Sequence, residues 1–205
     1  MRLFFIAMIF SLSSFSSFHI SEREDALDEL ELARLTDHVS DIKAFISSNP
    51  KYNSRIAFLV DMKIKSGKNR FFVYDLEHGQ IIDQGLVAHG KGSETGIKGD
   101  ILQFSNMPES NCTSLGRYSV ERSYKGIFGK AYRLAGLDPT NSNAMKRAIV
   151  PHCYKEVPSE EQGYYIINSH GCPMVNEAFL KGLKKSSKAL LQKLCFRSII
   201  DIRRT

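Results

Sequence analysis

Short apolar runs separated by turn residues are the feature that most constrains the fold of this chain. From residue 56 onward, runs rich in Ile, Val, Phe and Tyr are followed by Gly, Asn or Ser. This pattern is typical of short strands joined by turns. The runs read IAFLVDM, RFFVYDL, IIDQGLVAH, ILQFSN, LGRYSVERSYKG, RAIVPH, YYIINSHG and FRSIIDI. The sequence therefore predicts an α+β protein with a mainly β core.

Helices are predicted on both sides of these strands. Apolar residues recur at near-helical spacing in residues 21–48, and Asn49-Pro50 ends the pattern. One amphipathic helix or two short ones satisfy this spacing. Near the other end, Asn176 is a candidate N-cap for a helix over residues 176–194.

The first twenty residues have the layout of a secretory signal. Arg2 precedes the apolar run Leu3–Phe10, and a serine-rich stretch follows. The run is too short for a comfortable permanent membrane anchor, and a buried N-terminal helix is the alternative. The sequence thus predicts a signal peptide over residues 1–20, a periplasmic or extracellular location, and no stable membrane span after signal removal.

Charge and cysteine spacing restrict the partners. The chain carries 28 Lys and Arg against 22 Asp and Glu, a net charge of +6, which suits an anionic partner such as a cell-wall polymer. The basic residues are mostly scattered and form no base-reading motif, so we expect no nucleic-acid partner. Four cysteines are present, with no Cys-x-x-Cys pair: Cys112, Cys153, Cys172 and Cys195. This spacing disfavours a metal site, and two of the four can pair in an oxidising compartment.

Cys172 stands apart because it follows Gly171 at the end of an apolar run. Three roles fit it: half of a disulfide, a metal corner or a nucleophile. A glycine turn can lift the thiol to the rim of a sheet, and it can aim the N–H groups of Gly171 and Cys172 at an oxyanion. The expected helix start nearby favours a thiolate.

A thiol nucleophile needs a base, for which His89, His152 and His170 are candidates. His152 ends the run RAIVPH, and a loop then leads to the run that carries Cys172. If these two runs pair as a long hairpin in a suitable register, His152 and Cys172 meet at one end of the sheet. His89 precedes a glycine-rich loop and can also reach the site. An ordinary solvated or hydrogen-bonded histidine is the alternative for each.

The segment HCYKEVPSEEQGYYIINSHGC resembles the signature of the L,D-transpeptidases, the YkuD-type catalytic domain. That signature is a His, a spacer and then Ser/Thr-His-Gly-Cys, and here residues 153–168 separate His152 from Ser169. The blocks RFFVYDL, GLVAHGKGS, FSNMPESNCTSLGRYSV and GCPMVN extend the resemblance over about residues 56–176. Pro173 and the displaced Asn176 depart from the commonest form of the motif.

The resemblance implies an L,D-transpeptidase-like catalytic domain over residues 51–205, with a β-sandwich or barrel core and flanking helices, preceded by a helical segment at 21–50. It implies that Cys172 is the nucleophile and His152 the base, with the base oriented by a backbone oxygen. Ser169, His170 and Gly171 would shape the turn. No metal or organic cofactor is implied.

The implied reaction is acyl transfer on peptidoglycan stem peptides through a Cys172 thioester, forming 3→3 cross-links. Water as the acceptor would give a carboxypeptidase or endopeptidase. The residues are also compatible with a secreted cysteine hydrolase and with a non-catalytic wall-binding module. Candidate substrate contacts are His89, Ser93, Tyr118 and Arg147, although a surface ion pair is the alternative for Arg147.

Overall fold

The computed structural model describes residues 27–97, 101–183 and 197–204, with the main chain alone at 197–200. The predicted signal peptide, the start of the N-terminal helical segment at 21–26, and Cys195 lie outside the described residues. The predicted C-terminal helix is described only to residue 183.

The N-terminal segment forms one helix, α1 (Glu29–Ser47). Asp28 caps it, because its carboxylate accepts a 2.7 Å hydrogen bond from the Glu31 N–H while the Glu31 carboxylate accepts one from the Asp28 N–H. The buried face of the helix carries Leu35, Val39, Ile42 and Ile46, at the predicted spacing. Packing of this face on the sheet is what stabilises the helix.

The strands follow in chain order and form one mixed sheet. They are β1 (Tyr52–Asp61), β2 (Phe71–Asp75), β3 (Gln80–Gly85), β4 (Gly116–Gly126), β5 (Gly129–Gly136), β6 (His152–Cys153), β7 (Met174–Val175) and β8 (Arg197–Arg203). Their order across the sheet is β3-β2-β1-β8-β4-β5-β6-β7. The predicted mainly β fold with flanking helices is confirmed. A second helix, α2, begins at residue 177, after the Asn176 side chain accepts a 2.8 Å bond from the Phe179 N–H, as its N-cap role predicts.

Strands from opposite ends of the chain meet in the middle of the sheet. β8 pairs in parallel with β1 and antiparallel with β4, so it joins the β1–β3 meander to the β4–β5 hairpin. One hydrophobic cluster packs α1 against one face of β1 and β2, and a second lies on the other face, under α2. The sheet thus carries the loops that hold the candidate site.

Two details differ from the sequence-based expectation. Among the described strands the sheet does not close into a barrel. One isolated bridge, between Ala88 and Met174, joins the segment that follows β3 to the strand β7. The runs RAIVPH and YYIINSHG do not pair as a long hairpin. The backbone N–H groups of the second run bond to other loops instead. The Ile166 N–H donates to Ser66 Oγ, and the Ser169 N–H donates to the His89 carbonyl.

Candidate active site

The turn that carries Cys172 is held by Ser169 and permitted by Gly171. Ser169 is buried, and its hydroxyl donates to the Cys172 carbonyl at 2.7 Å and accepts from the Gly171 N–H at 3.0 Å. Gly171 has a φ of 111°, and a Cβ there would lie 2.8 Å from the Cys112 carbonyl oxygen. Only glycine adopts this conformation so close to another backbone without strain.

The same hydrogen bond changes the expected oxyanion donors. Since the Gly171 N–H is engaged by Ser169, it does not point freely at a substrate. Within the described part of the chain, the Cys172 N–H has no hydrogen-bond acceptor. Cys172 therefore supplies a donor that this turn leaves available.

The residues just before β6 surround the sulfur of Cys172. Ala148 has an unusual positive φ of 53°, and its carbonyl oxygen lies 3.7 Å from Cys172 Sγ. The N–H of Val150 also faces the thiol. A strained non-glycine backbone at this point is the kind of outlier that marks functional sites, and the apolar run RAIVPH gives no sign of it.

His152 lies on β6, directly beside the chain that carries Cys172. Its register partner is Met174, and its N–H donates to the carbonyl of Pro173, the residue after Cys172, at 3.4 Å. The ring Nδ1 lies 3.0 Å from the Cys153 carbonyl, which can only accept, so Nδ1 carries the proton and Nε2 holds the lone pair. Phe128, at the tip of the β4–β5 hairpin, stacks on the ring with centroids 5.0 Å apart.

Burial sets the resting charge of this pair. It raises the pKa of the Cys172 thiol, against the opposing effects of the Val150 N–H and the Arg147 charge. It lowers the pKa of His152, and the hydrogen bond to Cys153 opposes that shift. Both shifts favour a neutral thiol and a neutral imidazole. The helix α2 begins at residue 177, where the sequence places it, and its predicted effect on the thiolate stays a prediction.

His89 is buried in a polar chain instead of facing a substrate. Its side chain is 1% exposed, its Nδ1 accepts from the buried Arg70 at 2.9 Å, and its Nε2 donates to Glu94 at 2.7 Å. Glu94 also accepts from the amide of Asn168, just before the Cys172 turn. This placement speaks against the predicted substrate contact and against His89 as the base, since both ring nitrogens are engaged. The backbone around His89 supports Ser169 instead.

Ser93 and Tyr118 are likewise enclosed. Ser93 accepts from the Thr113 N–H at 2.9 Å, and the Tyr118 hydroxyl bonds to the carbonyl and hydroxyl of Ser114. Both side chains are buried, and burial raises the pKa of Tyr118 to about 12. Neither side chain is open to a substrate. His170, the third candidate base, is exposed next to the turn.

Arg147 lies behind the turn. Its guanidinium donates to four oxygens of the loop at 105–114, including the Cys112 carbonyl at 2.5 Å. It is half-buried, and its Nη2 lies 3.2 Å from where a Gly171 Cβ would stand. It therefore forms no surface ion pair among the described residues.

Among the described residues, neither a disulfide nor the candidate metal cluster lies at the Cys172 turn. Cys112, Cys153 and Cys172 are unbridged thiols in the described part of the chain. Ligand atoms of Asp75, Glu77 and His78 lie within 4.8 Å of one another, but this cluster is on the β2–β3 turn and Arg55 pairs with both carboxylates. The described helices include none that is both long and apolar enough to cross a bilayer.

The structure places a thiol on a glycine turn, next to the strand that carries a buried imidazole with a fixed tautomer, in a mainly β fold. A family model described as the L,D-transpeptidase catalytic domain matches residues 27–191. The chain belongs to that family, and the resemblance seen in the sequence is confirmed. The match includes α1 and the strands β1 to β7. Comparison with curated proteins gave no match.

Three solved structures are similar over 73% of this chain. An L,D-transpeptidase from Xylanimonas cellulosilytica DSM 15894 is 14% identical with a TM-score of 0.39, and the match covers 60% of that chain. An L,D-transpeptidase from Mycobacterium smegmatis is 10% identical with a TM-score of 0.40, covering 58% of that chain. Bd1075 from Bdellovibrio bacteriovorus is 19% identical with a TM-score of 0.42, covering 48%. The chain thus spans less than two thirds of each of these proteins.

Proposed function

We propose that this chain is an exported L,D-transpeptidase that transfers acyl groups between peptidoglycan stem peptides through a Cys172 thioester. The observation that supports this most is the pairing of β6 with β7. It sets His152, with a lone pair on Nε2, beside the Gly171–Cys172 turn. Family membership supplies the substrate class.

The first step is acylation. His152 Nε2 takes the proton of the Cys172 thiol as the sulfur attacks the carbonyl carbon of the third residue of a stem peptide, in the amide bond to D-alanine. The Cys172 N–H donates to the oxyanion. The C–N bond then breaks, His152 returns the proton to the leaving D-alanine amine, and a thioester remains.

The second step reverses these roles. An amine of a neighbouring stem attacks the thioester, His152 takes its proton, and the thiol is released with a new amide. This forms a 3→3 cross-link. Water in place of the amine would give a carboxypeptidase with the same residues, so the acceptor alone distinguishes the two outcomes.

The resting charges indicate general-base catalysis. Because burial favours the neutral thiol and the neutral imidazole, proton transfer accompanies attack and no ion pair exists beforehand. A neutral thiol is less reactive than a thiolate. A site of this kind suits a compartment that contains oxidants.

The test is incubation of the purified protein, without residues 1–20, with disaccharide-tetrapeptide muropeptides. We expect cross-linked dimers in the products, and tripeptide monomers alone would indicate the hydrolase. Cys172→Ala should abolish both products while the unfolding midpoint stays close to that of the unchanged protein. Turnover by Cys172→Ala would refute the assignment of the nucleophile.

A carbapenem provides a second readout. Mass spectrometry should place one covalent adduct on the peptide that contains Cys172. The control is Cys153→Ala, which removes another half-buried thiol and should retain the adduct. An adduct on Cys112 or Cys153 in place of Cys172 would contradict the proposal.

A further inference from the structure

The hydrogen-bond partners of Arg147 do not balance its positive charge. Its partners are the carbonyls of Ser105 and Cys112 and the hydroxyls of Ser110 and Ser114, all of them neutral. Among the described residues, no carboxylate lies within ion-pairing distance of it. An arginine guanidinium carries a full positive charge in proteins. A full positive charge therefore stands half-buried in the protein with only neutral dipoles around it.

The geometry directs this charge at the nucleophile. Gly171 packs against the guanidinium so closely that its missing side chain would lie 3.2 Å from Arg147 Nη2. Cys172 is the next residue, and its sulfur contacts the carbonyl of Ala148, the residue that follows Arg147. The cation and the thiol are thus held on the two sides of one short turn, where partial burial weakens screening by water.

We propose that Arg147 is a positioning residue that uses this unbalanced charge to favour the thiolate of Cys172 as it forms during attack. The inference rests on the proposed function of Cys172 and adds a role for a residue that does not touch the reacting atoms. The charge acts against burial, which favours the neutral thiol, and it acts in the direction in which Arg147 shifts the pKa of Cys172.

A purely structural role is the competing explanation, because Arg147 also clamps the loop at 105–114. The two roles differ in what the guanidinium must supply. The structural role depends on the hydrogen bonds of Arg147, whereas stabilisation of the thiolate depends on its positive charge. Arg147→Gln removes the charge, Arg147→Lys keeps it, and Ser110→Ala removes one clamp contact at 3.4 Å without altering the charge.

The experiment measures alkylation of Cys172 by iodoacetamide as a function of pH, with each cysteine peptide quantified by mass spectrometry. We expect Arg147→Gln to move the midpoint of reactivity to higher pH and to lower the rate at neutral pH about tenfold, as for loss of one nearby opposite charge. Arg147→Lys and Ser110→Ala should keep the midpoint of the unchanged protein. Arg133→Gln, which removes a charge stacked on Tyr124 in the β4–β5 hairpin, is the matched control and should change nothing.

Equal midpoints for Arg147→Gln and the unchanged protein would overturn the inference, even if the variant were less stable. If Arg147→Gln does not fold, Arg147→Lys decides: an unshifted midpoint supports the charge role, and a raised midpoint overturns it. The proposed function fails separately, if Cys172 of the unchanged protein resists alkylation at every pH while Cys153 reacts.

Discussion

Gly171→Ala should destabilise the protein because of two separate features of the turn. The first is its φ of 111°, a conformation that costs a residue with a side chain about 1–3 kcal/mol. The second is the close approach of Cys112, whose carbonyl oxygen would lie 2.8 Å from the new Cβ. Backbone at this distance must move, and such overpacking adds about 1–3 kcal/mol. We therefore expect a loss of about 2–6 kcal/mol in the free energy of unfolding.

Two other glycines separate these contributions. Gly129 has a φ of 86° and no atom within 4 Å of an added Cβ, so Gly129→Ala should show the backbone strain alone, about 1–3 kcal/mol. Gly163 has no positive φ and the same open surroundings, so Gly163→Ala should stay within about 0.5 kcal/mol of the unchanged protein. The difference between Gly171→Ala and Gly129→Ala estimates the cost of the close approach.

Urea unfolding measures the three free energies, and alkylation of Cys172 shows whether the turn has shifted. We expect Gly171→Ala alone to slow alkylation, because the displaced backbone moves the sulfur away from Ala148 and His152. Equal stabilities for Gly171→Ala and Gly163→Ala would refute the reasoning. A stability loss with unchanged Cys172 reactivity would show that the turn does not position the thiol.

Three further results are expected. Asp201 is fully buried and its pKa is raised to about 6, so the stability that its protonated form contributes is complete below about pH 4 and is lost as pH rises through 6. Asp201→Asn should remove this pH dependence, worth about 3 kcal/mol, and should raise the free energy of unfolding at pH 8. A variant that is less stable at pH 8 would show that the pairing with Arg203 outweighs burial. Tyr118→Phe should cost about 1–2 kcal/mol in urea unfolding, because Ser114 loses a buried partner. The thiol of Cys172 should show no thiolate ultraviolet absorbance at neutral pH, and a signal lost in Cys172→Ala would indicate a preformed ion pair with His152 instead.

Local sequence patterns predict most of the elements correctly. Alternation and turn residues place β1, β2 and β3, and helical spacing places α1, because these elements form where neighbouring residues agree on one period. The Asn176 cap is also readable, since capping depends on a few adjacent residues. The segments around His152 and Cys172 are not the long strands that their apolar runs predict, because such runs say nothing about which loop will satisfy their backbone groups.

The sequence by itself singled out Cys172, His152 and the glycine turn, because the spacing of one motif and the backbone freedom of Gly171 are local properties. Only the tertiary structure decided what surrounds them. Arg70 and Glu94 lie far apart from Asn168 in sequence, yet together they enclose His89 and remove it from the candidate substrate contacts. The charge behind Cys172 and the resting protonation of the pair are likewise decided by burial, and burial depends on which distant segments pack together.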